Sequence, residues 1–282
     1  MAEKKIILGG QAVIEGVMIK SPNYITVAVR NKDGIKTKVE KTKNRKAGKI
    51  FFIRGIVNLY DMLVYGTKAI IWSGEEIDGL DKKLSKSEIF FTLILSFSLA
   101  IGLFVVLPYF LTTLIGIKES NKPIIFNLLD GIIRIALFVA YIYLISLIKD
   151  VRVLFQYHGA EHKAIHCYEA DKKLDVENVK PFSTIHPRCG TSFIMIVLLI
   201  SILVFSLVPA LVKLFIHNLF DLSILKQKLI LFLPRILFIP IIAGISYEIL
   251  RLNKAYSKNP LMKIINLPGQ MLQKITTREP DE

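Results

Sequence analysis

Four long stretches in which apolar residues run around the whole helical circumference constrain this chain more than any other feature. Residues 89–117, 124–148, 193–216 and 229–250 lack the three-to-four spacing of apolar positions that a helix half-buried in a soluble core shows. Each is long enough to cross hydrocarbon, which takes about 20 residues. They explain why 52% of the 282 residues are hydrophobic, an excess for two soluble domains. The first block holds Pro108 and no charge. The second contains Asp130 and Arg134, four apart and so able to pair on one helix face. The third carries Pro209 and, near its end, Lys213, which can reach the headgroups. The fourth carries Pro234, Arg235 and Pro240 and is expected to kink.

The ends of these blocks set an orientation. Met1 to Lys5 is charged, but the apolar run after it is broken by Gly9, Gly10, Gln11 and Glu15, so it does not read as a secretory signal. Lysine and arginine are dense before the first block (Lys36, Lys38, Lys41, Lys43, Arg45, Lys46, Lys49), and more follow between the second and third blocks and after the fourth. The two remaining loops are short and offer Lys118 and Lys122, and Lys226 and Lys228. This asymmetry predicts an even number of spans with both termini in the cytosol. Much of the net charge of +14 then lies against anionic lipid headgroups. A basic face of this kind also suits RNA, as on a ribosome, but no aromatic-interleaved nucleic-acid motif accompanies it. Cys167 and Cys189 fall in the reducing compartment, which favours free thiols or metal ligation over a disulfide.

The expected fold is a mainly α membrane protein with about four transmembrane helices, an interfacial amphipathic helix and a small N-terminal cytosolic β element. Residues 1–48 carry a hairpin over 24–40, turning at Asn31–Gly34, with Lys5 to Leu8 as a possible third strand and Gly9 to Met18 as a glycine-bearing turn around Glu15. In 49–87 a helix from Lys49 to Trp72 places Arg54, Asn58, Asp61, Tyr65 and Lys68 on one polar stripe, which suits the headgroup plane, with Trp72 at that depth; a deeply embedded helix is the alternative. Residues 73–88 read as a linker. Spans one and two occupy 88–149, a cytosolic His/Cys segment 150–192, spans three and four 193–250, and a mostly irregular, surface-bound cytosolic tail 251–282.

Four of the five histidines fall between spans two and three: His158, His162, His166 and His186. The first three recur every fourth residue, each turned about 40° from the last on an α-helix, and so share one face. Two imidazoles at that spacing can bind one divalent ion. Glu161 completes H-x-x-E-H, the inverted zincin spacing, in which the glutamate takes a proton from water activated by the ion. His186 and Cys189 add a second pair of ligand-type groups in a turn set by Pro187 and Gly190. Imidazole with thiolate suits zinc, with iron or copper as other choices. All four ligands together make a closed tetrahedral site; dropping His186 or Cys189 leaves one position open. His166 is either a further ligand or a partner orienting one. Glu248 stands where inverted zincins draw a later glutamate, or pairs with Arg251. Arg188 suits an anionic group of a substrate or a lipid phosphate. Glu169, Asp171, Asp175 and Glu177 read as a solvated face.

The runs Gly9-Gly-Gln-Ala-Val-Ile-Glu-Gly-Val-Met18, Tyr157-His-Gly-Ala-Glu-His-Lys163 with His166-Cys-Tyr-Glu169, and His186-Pro-Arg-Cys-Gly-Thr-Ser-Phe193 together resemble the YqhQ family of bacterial membrane proteins. The C-terminal Pro268-Gly, Leu272-Gln and Thr276-Thr-Arg-Glu-Pro280 are similar as well. The resemblance implies a domain of unknown function described as a predicted metal-dependent enzyme, and extends possible ligand roles to His158, His162, His186 and Cys189. The expected activity is metal-dependent hydrolysis at the cytosolic membrane interface, with a divalent ion, zinc foremost, and Glu161 moving the proton. The competing expectation is a non-catalytic accessory or scaffold with a structural metal, serving a membrane complex linked to translocation or the ribosome.

Overall fold

A computed structural model describes residues 6, 8–42, 48, 50–78, 85–256 and 259–281. By contact the chain divides into two compact units, one formed from 1–83, 142–194 and 247–282, the other from 84–141 and 195–246.

The first unit begins with an antiparallel meander in the order β1-β2-β3-β4. β3 (Tyr24–Asn31) and β4 (Gly34–Lys41) form the expected hairpin. At its two-residue loop Gly34 adopts φ 121°, open to glycine alone without strain. The glycine-bearing segment before it is a second hairpin rather than a turn: β1 (Gly9–Val13) pairs with β2 (Gly16–Lys20), with Val13 opposite Gly16. Of the expected strand Lys5 to Leu8, Ile6 and Leu8 are not in a strand, and Lys5 and Ile7 lie outside the described residues.

Alternation decides the two faces of this sheet. Val13, Met18, Ile25, Val27 and Val29 are buried with Ala69 of α1 (Ile53–Asp78), and Met62, Tyr65, Trp72 and Ile77 of the same helix pack against them. α1 therefore runs beyond Trp72 into the expected linker. The first turns of its polar stripe face protein instead of solvent, while Lys68 stays exposed: Arg54 pairs with Glu248 through Nε (2.7 Å) and Nη2, Asn58 donates to the Tyr247 hydroxyl at 3.0 Å, and Asp61 accepts from Lys20. Trp72 lies on the sheet beneath Lys38, not at the helix exterior. The exposed side of α1 is apolar, carrying Ile53, Tyr60, Leu63 and Ile70.

Among the described residues four helices are long and apolar enough to cross a membrane: Ser87–Leu114, Pro123–Ile145, Gly190–Phe215 and Leu225–Asn253. They match the four apolar blocks and identify a multi-pass membrane protein. The first joins α2 (Lys86–Ile101), a π-helical turn (Gly102–Val106) and α3 (Leu107–Leu114). Pro108 follows that turn, where the wider hydrogen-bond spacing accommodates a residue with no N–H. α4 (Pro123–Ile145), α7 (Gly190–Phe215) and α8 (Ile224–Ala255) supply the rest. In the second unit Gly131 of α4 admits Ile202 of α7, and Val208, Leu219 and Leu231 form a core with Phe205, Val212 and Phe238.

α5 (Lys149–Glu169) is not among the apolar helices. It packs on the sheet at β1 and β2, opposite α1. After the short α6 (Val176–Val179) a loop leads to α7. The tail expected to be irregular contains α9 (Pro260–Thr276), whose buried face is Met262, Asn266, Gly269, Leu272, Gln273 and Thr276. Pro260 at its first turn and Asn259 as its N-cap favour the helix.

Candidate metal centre

α5 turns His158, Glu161, His162 and His166 toward the interior of the first unit. Burial of so polar a helix face demands partners, and each ring finds a carbonyl. His158 Nδ1 lies 2.8 Å from the Thr276 carbonyl, His162 Nδ1 lies 2.5 Å from that of Thr184, and His166 Nε2 lies 3.0 Å from that of Ile185. A carbonyl only accepts, so each of these nitrogens carries the proton, and in a neutral ring the other is left with a lone pair.

For His158 and His162 that other nitrogen is Nε2, and Cys189 Sγ stands 3.3 Å from Nε2 of His158. The ligand atoms of His158, His162 and Cys189 all lie within 4.8 Å of one another. Thr191 supports the sulfur through its backbone N–H at 3.4 Å and its hydroxyl at 3.1 Å. Burial alone would raise the Cys189 thiol, but when the thiol proton passes to His162 Nε2 the hydrogen bond and charge of that ring, with Thr191, outweigh it and hold the thiol below its ordinary value; a cation that displaces this proton meets a thiolate and a free Nε2. Glu161 Oε2 is 3.6 Å from His162 Nε2. Burial, opposed by His158 and Arg188, pushes the Glu161 carboxyl up to about 8. Two imidazole lone pairs and an acidified thiol fit a borderline-soft divalent cation, with Glu161 beside it.

The four ligand-type residues expected from the sequence do not all converge. His186 instead groups with His166 and Glu169. Its Nδ1 accepts the Arg188 N–H at 3.3 Å and its Nε2 faces Glu169 Oε2 at 3.5 Å. Burial holds its pKa below the ordinary histidine value. Glu169 is half-buried and paired instead of lying on a free face: Arg188 Nη2 sits 2.5 Å from its Oε1. Both ring nitrogens of His186 are engaged and the carboxylate is matched by a guanidinium, so this second group is closed by its own hydrogen bonds. Arg188, expected to meet an external anion, is paired internally. Glu248 takes Arg54 and the Phe52 N–H instead of joining either group or Arg251. Cys167 and Cys189 are both free and buried, and Cys167 Sγ points at the carbonyls of Lys172 and Lys173.

Several residues that build the centre carry no chemical signature of their own. Gln273 of α9, fully buried, accepts the His186 N–H at 2.8 Å and donates to the His186 carbonyl at 2.9 Å and to Ser192 Oγ at 2.7 Å. It clamps the loop that presents the Thr184 and Ile185 carbonyls and Cys189. The final segment crosses α5 at Gly159, where a Cβ would stand 2.0 Å from the Arg278 carbonyl. On the other side Gly10 of β1 lies over Glu161; a Cβ there would meet Glu161 Oε1 at 2.5 Å. The short sequence signals were the paired glycine at 9–10 and Gly159 inside a histidine helix; Gln273 was marked only by the Leu272-Gln of the family resemblance.

Comparison with known proteins places the chain. The family model described as a protein of unknown function (DUF1385) matches residues 50–282. The Bacillus subtilis (strain 168) protein described as uncharacterized protein YqhQ is 33% identical, the alignment covering 97% of this chain and 87% of that relative. No solved structure matches.

Proposed function

This chain belongs to the YqhQ-like DUF1385 family, and on that premise we propose that it is a metal-dependent membrane enzyme, a hydrolase working at the cytosolic face of a bacterial cytoplasmic membrane. The observation that carries this reading is the pair of Nδ1-to-carbonyl bonds that leave His158 and His162 Nε2 beside Cys189 and Glu161. A backbone carbonyl that accepts the other ring N–H is a usual outer partner of a metal-bound histidine.

His158, His162 and Cys189 would hold the ion, zinc by donor chemistry. When bound, it supplies Lewis-acid polarisation of a carbonyl or phosphoryl oxygen. Glu161 moves the proton: burial pushes its carboxyl up to about 8 in the ion-free centre, and the charge of a bound cation would draw it down, so that it can take a proton from water and pass it to a leaving group. The substrate class is a lipid-linked or membrane-delivered ester or phosphoester. The apolar outer sides of α1 (Ile53, Tyr60, Leu63, Ile70) and α9 (Leu261, Ile264, Leu267, Met271) support an interfacial setting against lipid. The lysine- and arginine-rich flanks support a cytosolic one.

One observation favours a second reading. Glu161, His162 and Cys189 are 3%, 2% and 5% exposed, the burial of a structural site. In that case the ion pins the Cys189 loop to α5, and the protein is an accessory or scaffold of a membrane complex.

Elemental analysis of the full-length protein in detergent, wild type beside His162→Ala, tests the centre itself. Stoichiometric metal in the wild type and its loss in the variant are expected; equal content in both removes the site. Cobalt substitution separates the two readings. A thiolate-to-cobalt charge-transfer band lost in Cys189→Ser is expected in either. A change in the d–d bands on adding a hydroxamate marks an exchangeable position and supports the enzyme, whereas unresponsive bands support the scaffold.

A further inference from the structure

The second unit contains a buried polar file at odds with its apolar helices. α4 carries Asn127, Asp130 and Arg134 at positions i, i+3 and i+7, so they share a face. α8 carries Lys228 and Arg235, also seven apart on one face. Glu119, in the loop before α4, joins them: its Oε2 is 2.5 Å from Lys228 Nζ, and its Oε1 is 3.3 Å from Asn127 Nδ2 and 3.7 Å from Arg235 Nη2. Arg235 Nη2 also donates to Asn127 Oδ1 at 2.8 Å, and Arg134 Nη2 donates to Asp130 Oδ2 at 2.7 Å. Lys228 stands over the Tyr109 ring at 4.0 Å.

Two features leave this file incomplete. Glu119 and Asp130 oppose Arg134, Lys228 and Arg235, so one positive charge is in excess. Glu119 answers Lys228 at close range and Asp130 answers Arg134, which leaves Arg235 with the neutral Asn127 and a distant share of Glu119. An unneutralised charge at membrane depth is costly. Moreover the Nε–H groups of Arg134 and Arg235 and the Oδ1 of Asp130 are buried without a hydrogen-bond partner. Arg235 lies within Coulombic reach of both Arg134 and Asp130.

We propose that Arg134 and Arg235, with Asp130, form a binding site in the second unit for one monoanionic phosphate group, independent of the metal centre. The excess charge matches a monoanion. Two guanidinium donors from facing helices match its several oxygens. The unpaired carboxylate oxygen matches a hydroxyl donor carried beside the phosphate, as in a polyol headgroup. A phosphodiester lipid headgroup and a free phosphate ion present the same chemistry to these groups. Arg134 and Arg235 side chains, 25% and 28% exposed, remain reachable from outside.

Native mass spectrometry and thermal unfolding of the delipidated full-length protein test this, with phosphatidylglycerol, phosphatidylcholine and inorganic phosphate as probes. A phosphatidylglycerol adduct that survives competition by phosphatidylcholine is expected. Arg235→Gln should weaken it about tenfold or more, the loss of a charge-assisted contact. Asp130→Asn keeps an acceptor while removing a negative charge, so it should bind as tightly or tighter; an ion-pair network of purely structural use predicts weaker binding and lower stability from both variants. Stabilisation by inorganic phosphate alone, lost in Arg235→Gln, identifies the free ion as the ligand. If Arg235→Gln does not fold, Arg235→Lys replaces it, keeping the charge but not the fork. Wild-type protein that prefers neither phosphatidylglycerol over phosphatidylcholine nor phosphate over chloride overturns the proposal.

Discussion

His158 and His162 show how one hydrogen bond fixes what the rest of a ring can do. With Nδ1 turned to a carbonyl, the tautomer and the plane of each imidazole are set before any ion arrives. Gln273 sets the loop that supplies one of those carbonyls. Gln273→Leu leaves the His186 N–H and C=O without partners, at about 1–3 kcal/mol each. It is expected to lower metal affinity about tenfold, measured by competition with a chromophoric chelator, while leaving the helix content seen by circular dichroism unchanged. Glu161 gives a pH prediction. Its folded-state value of about 8 lies above the ordinary 4.5. Across that interval the folded chain holds a proton that the unfolded chain has lost, so stability falls as pH rises and the loss is complete above about 8. Chelator-treated protein should therefore melt at a lower temperature near pH 8 than near pH 6 by this contribution, and Glu161→Gln should remove it. A melting temperature that does not fall over this range, or falls equally in the variant, contradicts the burial of that carboxyl.

At the scale of elements, legibility followed periodicity. The four apolar helices were plain because runs of about 20 or more apolar residues around a whole circumference suit hydrocarbon far better than the core of a chain this size. The histidine helix was plain because its spacing is four. β1 and β2 were not, because Gly9, Gly10 and Gly16 read as turn formers. Gly10 is in fact a strand residue whose missing Cβ makes room for Glu161. α9 was not, because Pro260 and Pro268 read as breakers and its buried face is polar, with Asn266, Gln273 and Thr276 in place of an apolar stripe. The polar stripe of α1 was visible but its direction was not, since Arg54, Asn58 and Asp61 meet partners far away in sequence. A prediction at this scale concerns the crossing at Gly159. In Gly159→Ala the added carbon must displace the Arg278 carbonyl, with the Arg278–Phe155 backbone bond beside it. A loss of about 1–3 kcal/mol is expected, together with faster proteolysis of the C-terminal segment and reduced metal content. Wild-type melting and metal content in this variant contradict the crossing.

For the whole molecule, four spans return the chain to the side from which it entered, so the two termini are expected on one side of the membrane. Reporter fusions at residues near each end should give the same sidedness, and a reporter placed in the 115–122 loop the opposite one. Composition and charge announced a multi-pass protein, yet the division into two units was hidden. The first unit takes its residues from three separate stretches, and only long-range contacts such as Gln273 to His186 reveal that.

The carbonyl that orients His158 belongs to Thr276, 118 residues later, with the third and fourth spans between them. Ribosomes deliver the histidine helix first and its anchor long afterwards. During translation the nascent protein thus passes through a stage in which all four spans are inserted while His158 still lacks its orienting bond. If the proposed centre binds its ion, capture is expected to wait until α9 has been made and folded back, and a chain ending between α8 and α9 is expected to insert without retaining metal.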